Sequence, residues 1–470
     1  DVCSSDLRLI MKLPDGPKTP RLLQNLNFVS DPVGYMEANA ERYGDIFSTK
    51  AFSFHSQPTL IVSNPDALKQ ILTNDTKDFC SPSDLNQILV PWLGTYSMLV
   101  QDGEPHRRQR KLLMPSFHGD RLRGYGQTIC EITASVMSRQ PQGEIFSART
   151  LMLDTTLQIM LEIVFGFHDS DRCQQIKDLM LTLMNDFENP LLLASGFLPF
   201  LQKDWGEKSP WGYFLRMRQR IDEVIYAEIA ERRQQPNPEG QDILSLLLSA
   251  RDEAGESLTN QELRDQLITL LFVGHENSAT GVAWALYWVH KHPEVRDKLL
   301  KEIASLESPD PMAIIRLPYL TAVCNETLRM SSINMLLSGR MVKSPVELMG
   351  YKLSPGTAIF GSVYLTHHRP DLYPEPKEFK PERFLERQFS AYEFLPFGGG
   401  SRSCIGANLA VMEIKLVLAT VLLRYQLTLA DKQPEKLQGR GVVLIPAKGV
   451  RMIVQGSRVR QEQEFAATVS

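Results

Sequence analysis

The stretch from Thr259 to His290 constrains the fold of this chain more than any other part of its sequence. Thr259 and Glu262 have the spacing of a capping box, and apolar residues then follow at helical intervals until Pro293. About thirty residues at about 1.5 Å each predict a helix of about 45 Å, which is long enough to cross a whole domain. We therefore expect the rest of the chain to fold around this helix.

A polar segment interrupts this helix at residues 274–278, with the sequence Gly-His-Glu-Asn-Ser. The sequences on either side, ITLLFV and ATGVAWALYWV, are nearly all apolar. Five residues span more than one helical turn, so they cannot all face solvent on one side, and a glycine inside a helix costs about 1 kcal/mol relative to alanine. A transmembrane helix would place Glu276 near the bilayer centre, where ionisable groups are expensive. The presence of this polar segment inside the helix therefore needs a structural or functional explanation.

Glycines surround a single cysteine in the segment from Phe397 to Gly406, FGGGSRSCIG, and an apolar stretch with helical spacing follows it. Glycines permit backbone turns that direct N–H groups at the sulfur, and the N-terminus of the next helix and Arg402 add positive potential. These features predict a lowered pKa for the Cys404 thiol, and hence a metal ligand or a nucleophile. A buried structural cysteine beside a glycine-rich turn is the alternative.

The remaining pattern predicts a mainly α protein with a minor β portion. Helical spacing dominates the middle of the chain, and strand-like segments that could pair lie near both ends, at IFSTKAF, TLIVS and residues 346–363 and 442–454. No linker or repeat divides the sequence, so we expect one domain over residues 21–470 after a lead at residues 1–20. The lead has no apolar run long enough for a signal peptide or a membrane anchor.

Charge argues against a protein that mainly binds nucleic acid, and cysteine spacing argues against a C-x-x-C site. The 51 basic and 55 acidic residues give a net charge of -4, which is too balanced for a protein whose main partner is a nucleic acid. The six cysteines are scattered without a C-x-x-C pair. This usage indicates reduced thiols and a cytoplasmic location.

Five positions of the cysteine segment match the pattern F-x-x-G-x-R-x-C-x-G, and the segment resembles the haem-binding loop of the cytochrome P450 family. The resemblance extends along most of the chain, because residues 326–329 resemble the family's E-x-x-R motif, residues 381–384 its P-E-R-F segment, and the polar segment its oxygen-activation helix. Soluble bacterial members, in particular cyanobacterial ones, look most similar. The resemblance implies the cytochrome P450 fold, with the long central helix over a haem b.

The resemblance also implies roles for residues around the haem. Cys404 is the implied axial thiolate ligand of the iron. Glu326 and Arg329 lie on one helical face and form, with Arg383, the implied structural triad beneath the cysteine segment. His106 stands where many members have tryptophan. The residues implied to hold the haem and its propionates are His106, Arg110, Arg340, Phe397, Gly398, Arg402 and Gly406.

The polar segment departs from the family's usual pattern of an acid followed by two threonines. Gly274 would let dioxygen and water approach the backbone, and Glu276 would deliver protons. Asn277 replaces the expected threonine and lacks a hydroxyl, which Ser278 could supply. We expect these four residues to be catalytic, with dioxygen activation less tightly coupled to product formation.

A second departure follows Arg329, where relatives carry an aromatic-proline pair and this chain has MSSINM. Asn334 is the polar member of an otherwise mainly apolar set. It either favours a substrate with an oxygen function or caps a local turn. By analogy, the substrate pocket comprises Ser97, Met98, Leu99, Phe272, Val273, Ile333, Asn334 and Met335.

The resemblance implies a monooxygenase that uses O2 to hydroxylate or epoxidise a lipophilic substrate, such as a long-chain fatty acid, alkane or terpenoid. Electrons would come from a separate ferredoxin and ferredoxin reductase, because the sequence has no dinucleotide-binding fingerprint after a strand. Arg107, Arg108 and Lys111 either dock an acidic redox partner or form a solvated helix face. We expect a monomer without a membrane anchor or a nucleic acid partner.

Two other functions stay open on the same scaffold. The missing threonine motivates a peroxide-driven hydroxylase, or an isomerase or dehydratase acting on an oxidised lipid. Glu276 argues against these, because a proton-delivering acid is needed chiefly when dioxygen is activated. A non-catalytic haem-based ligand carrier is the third hypothesis, and it predicts ligand binding without an oxidised product.

Overall fold

The computed structural model describes residues 13–458 apart from 52–57, 82–85, 168–170, 187–191, 193–200, 236, 238–239, 307–309 and 442. Residues 1–12 of the expected lead therefore lie outside the described residues. Helices form most of the described chain, and its strands form four small sheets. The prediction of a mainly α protein with a minor β portion is confirmed.

The α-helices of the described chain are numbered in sequence order. They are α1 (Arg21–Ser30), α2 (Pro32–Tyr43), α3 (Pro65–Thr73), α4 (Val90–Leu93), α5 (Gly103–Leu113), α6 (Asp120–Ser138), α7 (Ala148–Phe165), α8 (Asp171–Asp186), α9 (Pro210–Gln234), α10 (Ile243–Ser249), α11 (Asn260–Lys291), α12 (Pro293–Ala304), α13 (Pro311–Ile314), α14 (Pro318–Ser331), α15 (Val363–His367), α16 (Arg383–Glu386) and α17 (Ala407–Arg424). Single turns of 3-10 helix occur at Met114–Phe117 and Gly400–Arg402.

The strands are β1 (Ile46–Thr49), β2 (Thr59–Val62), β3 (Phe79–Cys80), β4 (Ile145–Ser147), β5 (Arg340–Val342), β6 (Val346–Leu348), β7 (Tyr351–Leu353), β8 (Ala358–Gly361), β9 (Tyr425–Leu429), β10 (Leu437–Arg440), β11 (Val443–Pro446) and β12 (Arg451–Ser457). The largest sheet has the order β1-β2-β8-β5-β3 and so joins strands from both ends of the chain, as predicted. Strands β2 and β8 pair in parallel, with Leu60 opposite Ile359, and the other neighbours in this sheet are antiparallel. The other sheets are β4-β12-β9 and the hairpins β6-β7 and β10-β11.

Helix α11 is the long helix that the sequence predicts. The Thr259 hydroxyl accepts the Glu262 N–H at 3.2 Å, and the Glu262 carboxylate accepts the Thr259 N–H at 2.8 Å. The capping box therefore forms, and the helix ends where Pro293 starts α12. Its 32 residues span about 48 Å at about 1.5 Å per residue.

Two glycines of α11 let other helices approach it closely. A Cβ at Gly274 would lie 2.7 Å from the methyl carbon of Met160 on α7. A Cβ at Gly281 would lie 2.8 Å from Cδ1 of Ile414 on α17. The glycine of the polar segment thus has a packing role in addition to any role in the site.

The largest apolar cluster of the described residues surrounds α11 and includes side chains from α6, α7, α9, α14 and α17. A second cluster covers the five-stranded sheet, and a third lies between that sheet, α1 and α2. Within the described ranges, no helix has both the length and the apolar character needed to cross a membrane. The fold places the middle of α11 opposite the segment that leads into α17.

Candidate active site

The segment that leads into α17 turns tightly at two glycines. Gly398 and Gly400 have φ values of +69° and +67°, in the left-handed region that glycine tolerates. A Cβ at Gly400 would lie 2.3 Å from a carboxylate oxygen of Asp75. This carboxylate accepts the Ser401 N–H at 2.6 Å and the Ser401 hydroxyl at 2.9 Å. The backbone turns at Gly398 and Gly400 and the hydrogen bonds to Asp75, which is distant in the sequence, therefore fix the conformation of this segment.

Cys404 lines an internal cavity at the end of this segment, and its N–H donates to the Phe397 carbonyl at 2.9 Å. Burial raises the pKa of the Cys404 thiol, although a hydrogen bond from the Gly406 N–H and the charge of Arg110 act to lower it. The predicted lowering of this pKa is therefore wrong, because desolvation outweighs both favourable contributions. A coordinated metal ion deprotonates a thiol outright, so this environment suits a ligand better than a free thiolate.

A cavity of about 360 Å³ lies between Cys404, α11 and the segment after α14. Most of its wall is apolar. The apolar residues in the wall are Met98, Leu99, Phe117, Met160, Leu270, Val273, Leu328, Ile333, Leu336, Leu337, Val363, Leu395, Pro396, Phe397, Ile405, Leu409, Ala410 and Ile414. Its polar residues are His106, Arg110, Thr269, Asn277, Ser278, Asn334, Ser338, Arg402, Ser403 and Glu413.

Three of the four predicted propionate partners, His106, Arg110 and Arg402, line this cavity. Arg110 on α5 donates to the Ser403 carbonyl at 2.7 Å and to its hydroxyl at 3.0 Å, which ties α5 to the cysteine segment. Burial, followed by the charges of Arg402 and Arg110, lowers the pKa of His106 to about 4. His106 is therefore neutral at pH 7 and still has an N–H to donate.

Arg340, the fourth predicted propionate partner, lies outside the cavity wall. Its guanidinium donates to Asp75 at 3.3 Å and to the Ser338 carbonyl at 2.9 Å. The residue is 3% exposed. In this structure, Arg340 supports the cysteine segment through Asp75.

The structure brings together the three residues of the predicted triad. Arg329 donates from Nε and Nη2 to the two carboxylate oxygens of Glu326 at 2.7 and 2.8 Å, and Arg383 donates to the same carboxylate at 3.0 Å. The Lys380 N–H adds a fourth hydrogen bond to it at 2.9 Å. Glu326 and Arg329 have no exposed side-chain surface. A buried carboxylate with this many donors holds segments of the chain together.

His367 connects the triad to the cysteine segment. Its carbonyl accepts a hydrogen bond from Arg329 at 2.8 Å, and its Nε2 accepts the Leu395 N–H at 3.0 Å. Nδ1 therefore carries the proton and donates to the Ser332 hydroxyl at 3.2 Å. Burial lowers the pKa of His367 well below its usual value, so the ring is neutral. The sequence offered no signal for this connection, because Leu395 is 28 positions away.

The polar segment of α11 is divided between two environments. Gly274, Asn277 and Ser278 line the cavity. Glu276 lies outside the cavity wall and accepts hydrogen bonds from Arg149 at 2.7 Å and Arg440 at 3.0 Å. The acid that the resemblance assigns to proton delivery is thus held by two guanidinium groups on another side of the helix.

Glu413 on α17 is a second acid at this site, and sequence reasoning missed it. Glu413 is 1% exposed and lines the cavity, and its side chain is hydrogen-bonded to Ser278. Its Oε1 has no hydrogen-bond partner within the described part of the chain. Burial raises the pKa of Glu413 to about 8, with a small opposing effect of the Ser278 hydrogen bond. The available signal was an acid inside the apolar stretch NLAVMEIKLVLATVLL.

Five of the eight predicted pocket residues line the cavity, namely Met98, Leu99, Val273, Ile333 and Asn334. The other three lie elsewhere. Ser97 is buried behind the cavity wall, where its hydroxyl lies 2.8 Å from the Thr269 hydroxyl. Met335 belongs to the apolar cluster between the large sheet, α1 and α2, and Phe272 is half-buried outside the wall.

The basic residues of α5 that could dock a redox partner are all paired within the chain. Arg107 pairs with Glu104 one turn earlier. Arg108 bonds Asp252 at 2.7 Å and Glu262 at 2.6 Å, and Lys111 bonds Glu253 at 2.5 Å. Arg108 and Lys111 therefore connect α5 to the region around the start of α11.

The groups in this cavity fit the haem that the resemblance implies. The sulfur of Cys404 is a suitable ligand for haem iron, and the apolar walls suit a porphyrin. Arg110 and Arg402 bring two guanidinium groups to the wall, and guanidinium groups bind carboxylates well. Neutral His106 adds an N–H donor beside them.

Comparison with known proteins agrees with this geometry. The family model described as "Cytochrome P450" matches residues 14–454. The chain is 32% identical over 466 residues to the Mycobacterium tuberculosis protein named "Putative cytochrome P450 135B1", covering 97% of this chain and 93% of that one. It is 31% identical to the protein of the same bacterium named "Putative cytochrome P450 138", covering 95% and 97%.

Two solved structures share the fold. The retinoic acid-bound cyanobacterial protein CYP120A1 superposes with a TM-score of 0.80 at 24% identity, covering 95% of this chain and all of that one. The haem domain of cytochrome P450DA superposes with a TM-score of 0.79 at 21% identity, covering 96% and 98%. The expected fold is therefore confirmed. With a family match over nearly all of its length, this chain belongs to the cytochrome P450 family of haem-dependent monooxygenases.

Proposed function

We propose that this cytochrome P450 inserts one oxygen atom from O2 into a C–H or C=C bond of a lipophilic substrate, such as a long-chain fatty acid, an alkane or a terpenoid. The mainly apolar cavity of about 360 Å³ beside Cys404 carries this proposal. Burial of apolar surface contributes about 25 cal/mol per Å², so these walls favour hydrocarbon over hydrophilic ligands.

A haem b bound through Cys404 would supply the oxygen chemistry, in which O2, two electrons and two protons give the oxygenated product and one water. Arg110 and Arg402 would hold its carboxylates as charged donors, and His106 would add a neutral N–H. A ferredoxin and a ferredoxin reductase would supply the electrons.

The protons need a donor at the cavity, and we assign this role to Glu413 with Ser278. With a pKa of about 8, the buried Glu413 carboxyl holds a proton at neutral pH. The Ser278 hydroxyl bonds to this carboxyl and lines the cavity, so it can pass a proton onward. Glu276 is less suitable as a direct donor, because Arg149 and Arg440 hold it away from the cavity wall.

Two amide side chains support a substrate that carries an oxygen function. Asn277 and Asn334 both line the cavity, and neither side chain bonds to another described residue. Both residues are half-buried. A ligand that covered one of these amides without a hydrogen-bonding group would leave it unsatisfied at a cost of about 1 to 3 kcal/mol, and a ligand hydroxyl, carbonyl or carboxyl group would avoid this cost. Oxygenated fatty acids and terpenoids are therefore favoured over plain alkanes.

The test is product formation by the haem-loaded protein with isotopically labelled O2. One fatty acid, one alkane and one terpenoid are each incubated with ferredoxin, ferredoxin reductase and NADPH, and in parallel with hydrogen peroxide alone. We expect one labelled oxygen atom per product molecule in the ferredoxin reaction. Product with peroxide only would favour the peroxide-driven alternative. Substrate binding without product in either reaction would favour the ligand carrier.

A further inference from the structure

The loop between α4 and α5, residues 94–102, forms part of the cavity wall through Met98 and Leu99. We call it the roof loop. It contains turns but no helix or strand, so its backbone groups need hydrogen-bond partners from elsewhere in the chain. Two buried polar residues of α11, Asp265 and Gln266, supply several of these partners, and a third, Thr269, bonds the side chain of Ser97.

Gln266 bonds the roof loop at two points. Its Oε1 accepts the Met98 N–H at 3.3 Å, and its Nε2 donates to the Tyr96 carbonyl at 2.5 Å. The side chain is 0% exposed. A buried amide without partners destabilises the folded state, so these two bonds explain a glutamine at a core position of the helix.

Asp265 and Thr269 bond the same loop. The Asp265 carboxylate accepts the Tyr96 N–H at 2.9 Å, and the Thr269 hydroxyl lies 2.8 Å from the Ser97 hydroxyl. Gly94 has a φ of +87°, and a Cβ there would lie 2.1 Å from the Asp265 carboxylate. The roof loop therefore follows the surface of α11 at close range.

Arg402 holds the roof loop from the cysteine segment. Its Nη1 donates to the Met98 carbonyl at 3.1 Å, and its Nη2 donates to the Gln101 carbonyl at 2.5 Å. Both backbone groups of Met98 are thus bound by side chains, the N–H by Gln266 and the carbonyl by Arg402. Movement of Met98 away from the cavity would break hydrogen bonds to both elements.

We propose that Gln266 is a specificity-determining positioning residue, which fixes Met98 and Leu99 over the cavity and thereby limits the size of the ligand. The inference rests on the proposed function in one respect, namely that the cavity is the ligand site. The same cavity must hold both the haem and the ligand, so a fixed wall excludes bulky ligands more than small ones.

The first experiment compares two ligands of different size. Gln266→Met keeps the length of the side chain and removes both hydrogen bonds. Haem-loaded wild type and variant are titrated with imidazole and with 4-phenylimidazole, and binding is followed by the shift of the Soret band. We expect imidazole to bind both proteins within about twofold, and 4-phenylimidazole to bind the variant about tenfold more tightly. An unchanged ratio of the two dissociation constants would overturn the proposal.

Limited proteolysis measures the position of the loop without any ligand. Chymotrypsin should cleave after Tyr96 or Leu99 about tenfold faster in Gln266→Met, because the loop opens more often once its bonds are removed. Thr280→Val is the matched control on the same helix, since the Thr280 hydroxyl is buried and has no partner among the described residues. It should leave cleavage and both ligand affinities unchanged.

Gln266→Glu provides a reversible test within one variant. A neutral glutamic acid can accept the Met98 N–H and donate to the Tyr96 carbonyl as the amide does, whereas an ionised carboxylate has no proton to donate and would place an acceptor oxygen against the Tyr96 carbonyl oxygen. We expect the wild-type affinity ratio at low pH and the Gln266→Met ratio at high pH. The wild-type curve is subtracted, because Asp265 and Arg264 lie beside residue 266 and imidazole itself titrates. Infrared spectroscopy of the carboxyl band shows whether the introduced acid has ionised. A ratio that stays at the wild-type value once it has ionised would refute the positioning role.

Failure of the proposed function gives a different result. If haem bound to the wild-type protein lacks the spectrum of a thiolate-ligated haem, the cavity beside Cys404 is not the cofactor site and the proposed function fails. If imidazole binds normally and the size ratio does not respond to residue 266, only the positioning role fails.

Discussion

Two glutamates of this protein are equally buried, but one is surrounded by cationic and N–H donors and the other is not. Glu326 and Glu413 are 0% and 1% exposed. Glu326 accepts hydrogen bonds from Arg329, Arg383 and the Lys380 N–H. Glu413 is bonded to Ser278, and its Oε1 has no partner in the described chain.

The role of a buried acid therefore depends on its hydrogen-bonding and charged partners and not on burial alone. Two guanidinium groups keep Glu326 in a network that shapes the protein beneath the cysteine segment. Glu413 has no cation to stabilise its ionised form, so burial keeps it protonated. Glu276, the acid that the sequence indicated, resembles Glu326 in this respect, because Arg149 and Arg440 hold it.

Replacing the sulfur of Cys404 should have the largest effect of all, because the proposed function places the haem iron on this atom. Cys404→Ser should abolish the carbon monoxide band that is characteristic of haem-thiolate proteins, because no other side chain in the cavity wall offers a thiolate. The measurement is the reduced carbon monoxide difference spectrum. Cys80→Ser, a change at a half-buried cysteine outside the cavity, is the control and should retain the band.

Removing a partner of Glu326 should have the largest effect on stability. Arg329→Met leaves a fully buried carboxylate with fewer donors and should lower the free energy of unfolding by about 3 to 5 kcal/mol. Urea unfolding of the haem-loaded protein measures the change. Lys298→Ala breaks the exposed pair with Glu382 and should cost less than about 1 kcal/mol. Equal effects of the two substitutions would show that burial adds nothing to the Glu326 network.

Glu413 should make stability depend on pH in one window. Burial raises its pKa from 4.5 to about 8, so between these values the folded protein holds a proton that the unfolded chain has lost. The wild type should therefore lose about 1.4 kcal/mol per pH unit relative to Glu413→Gln across this window, with no relative change below or above it. Urea unfolding of both proteins from pH 4 to pH 9 measures the difference. Parallel curves would mean that Glu413 is ionised in the folded protein.

We expect the smallest effect from a substitution in the cavity wall next to Ser278. Asn277→Thr adds a hydroxyl that can both donate and accept, and should raise the product formed per electron consumed by about two- to threefold. Product and NADPH consumption are measured together. Asn277→Val introduces a side chain with the shape of threonine but without its hydroxyl, and it should not increase the product formed per electron. The interpretation fails if the threonine variant behaves like the valine variant.

Features that depend on neighbours in the sequence could be predicted. Thr259 and Glu262 are three positions apart and form the capping box, and Glu326 and Arg329 are three positions apart and form the ion pair. Contacts between residues that are distant in the sequence could not be predicted.

Glu276 is 127 positions from Arg149 and 164 from Arg440, and no local pattern indicates that they meet. Strands β3, β4, β5, β9 and β10 lie outside the segments in which the sequence predicted strands, and each is only two to five residues long.

The long central helix, the cysteine segment and the mainly α class can be recognised from the amino-acid sequence. Helical spacing, capping and glycine turns are local, so they can be recognised before the chain folds. Only the tertiary structure decided which acid faces the cavity with its proton and which is held by arginines. Desolvation and ion pairing depend on the groups that the fold brings within hydrogen-bond distance, and these come from α7, α11, α17 and β10, far apart in the chain.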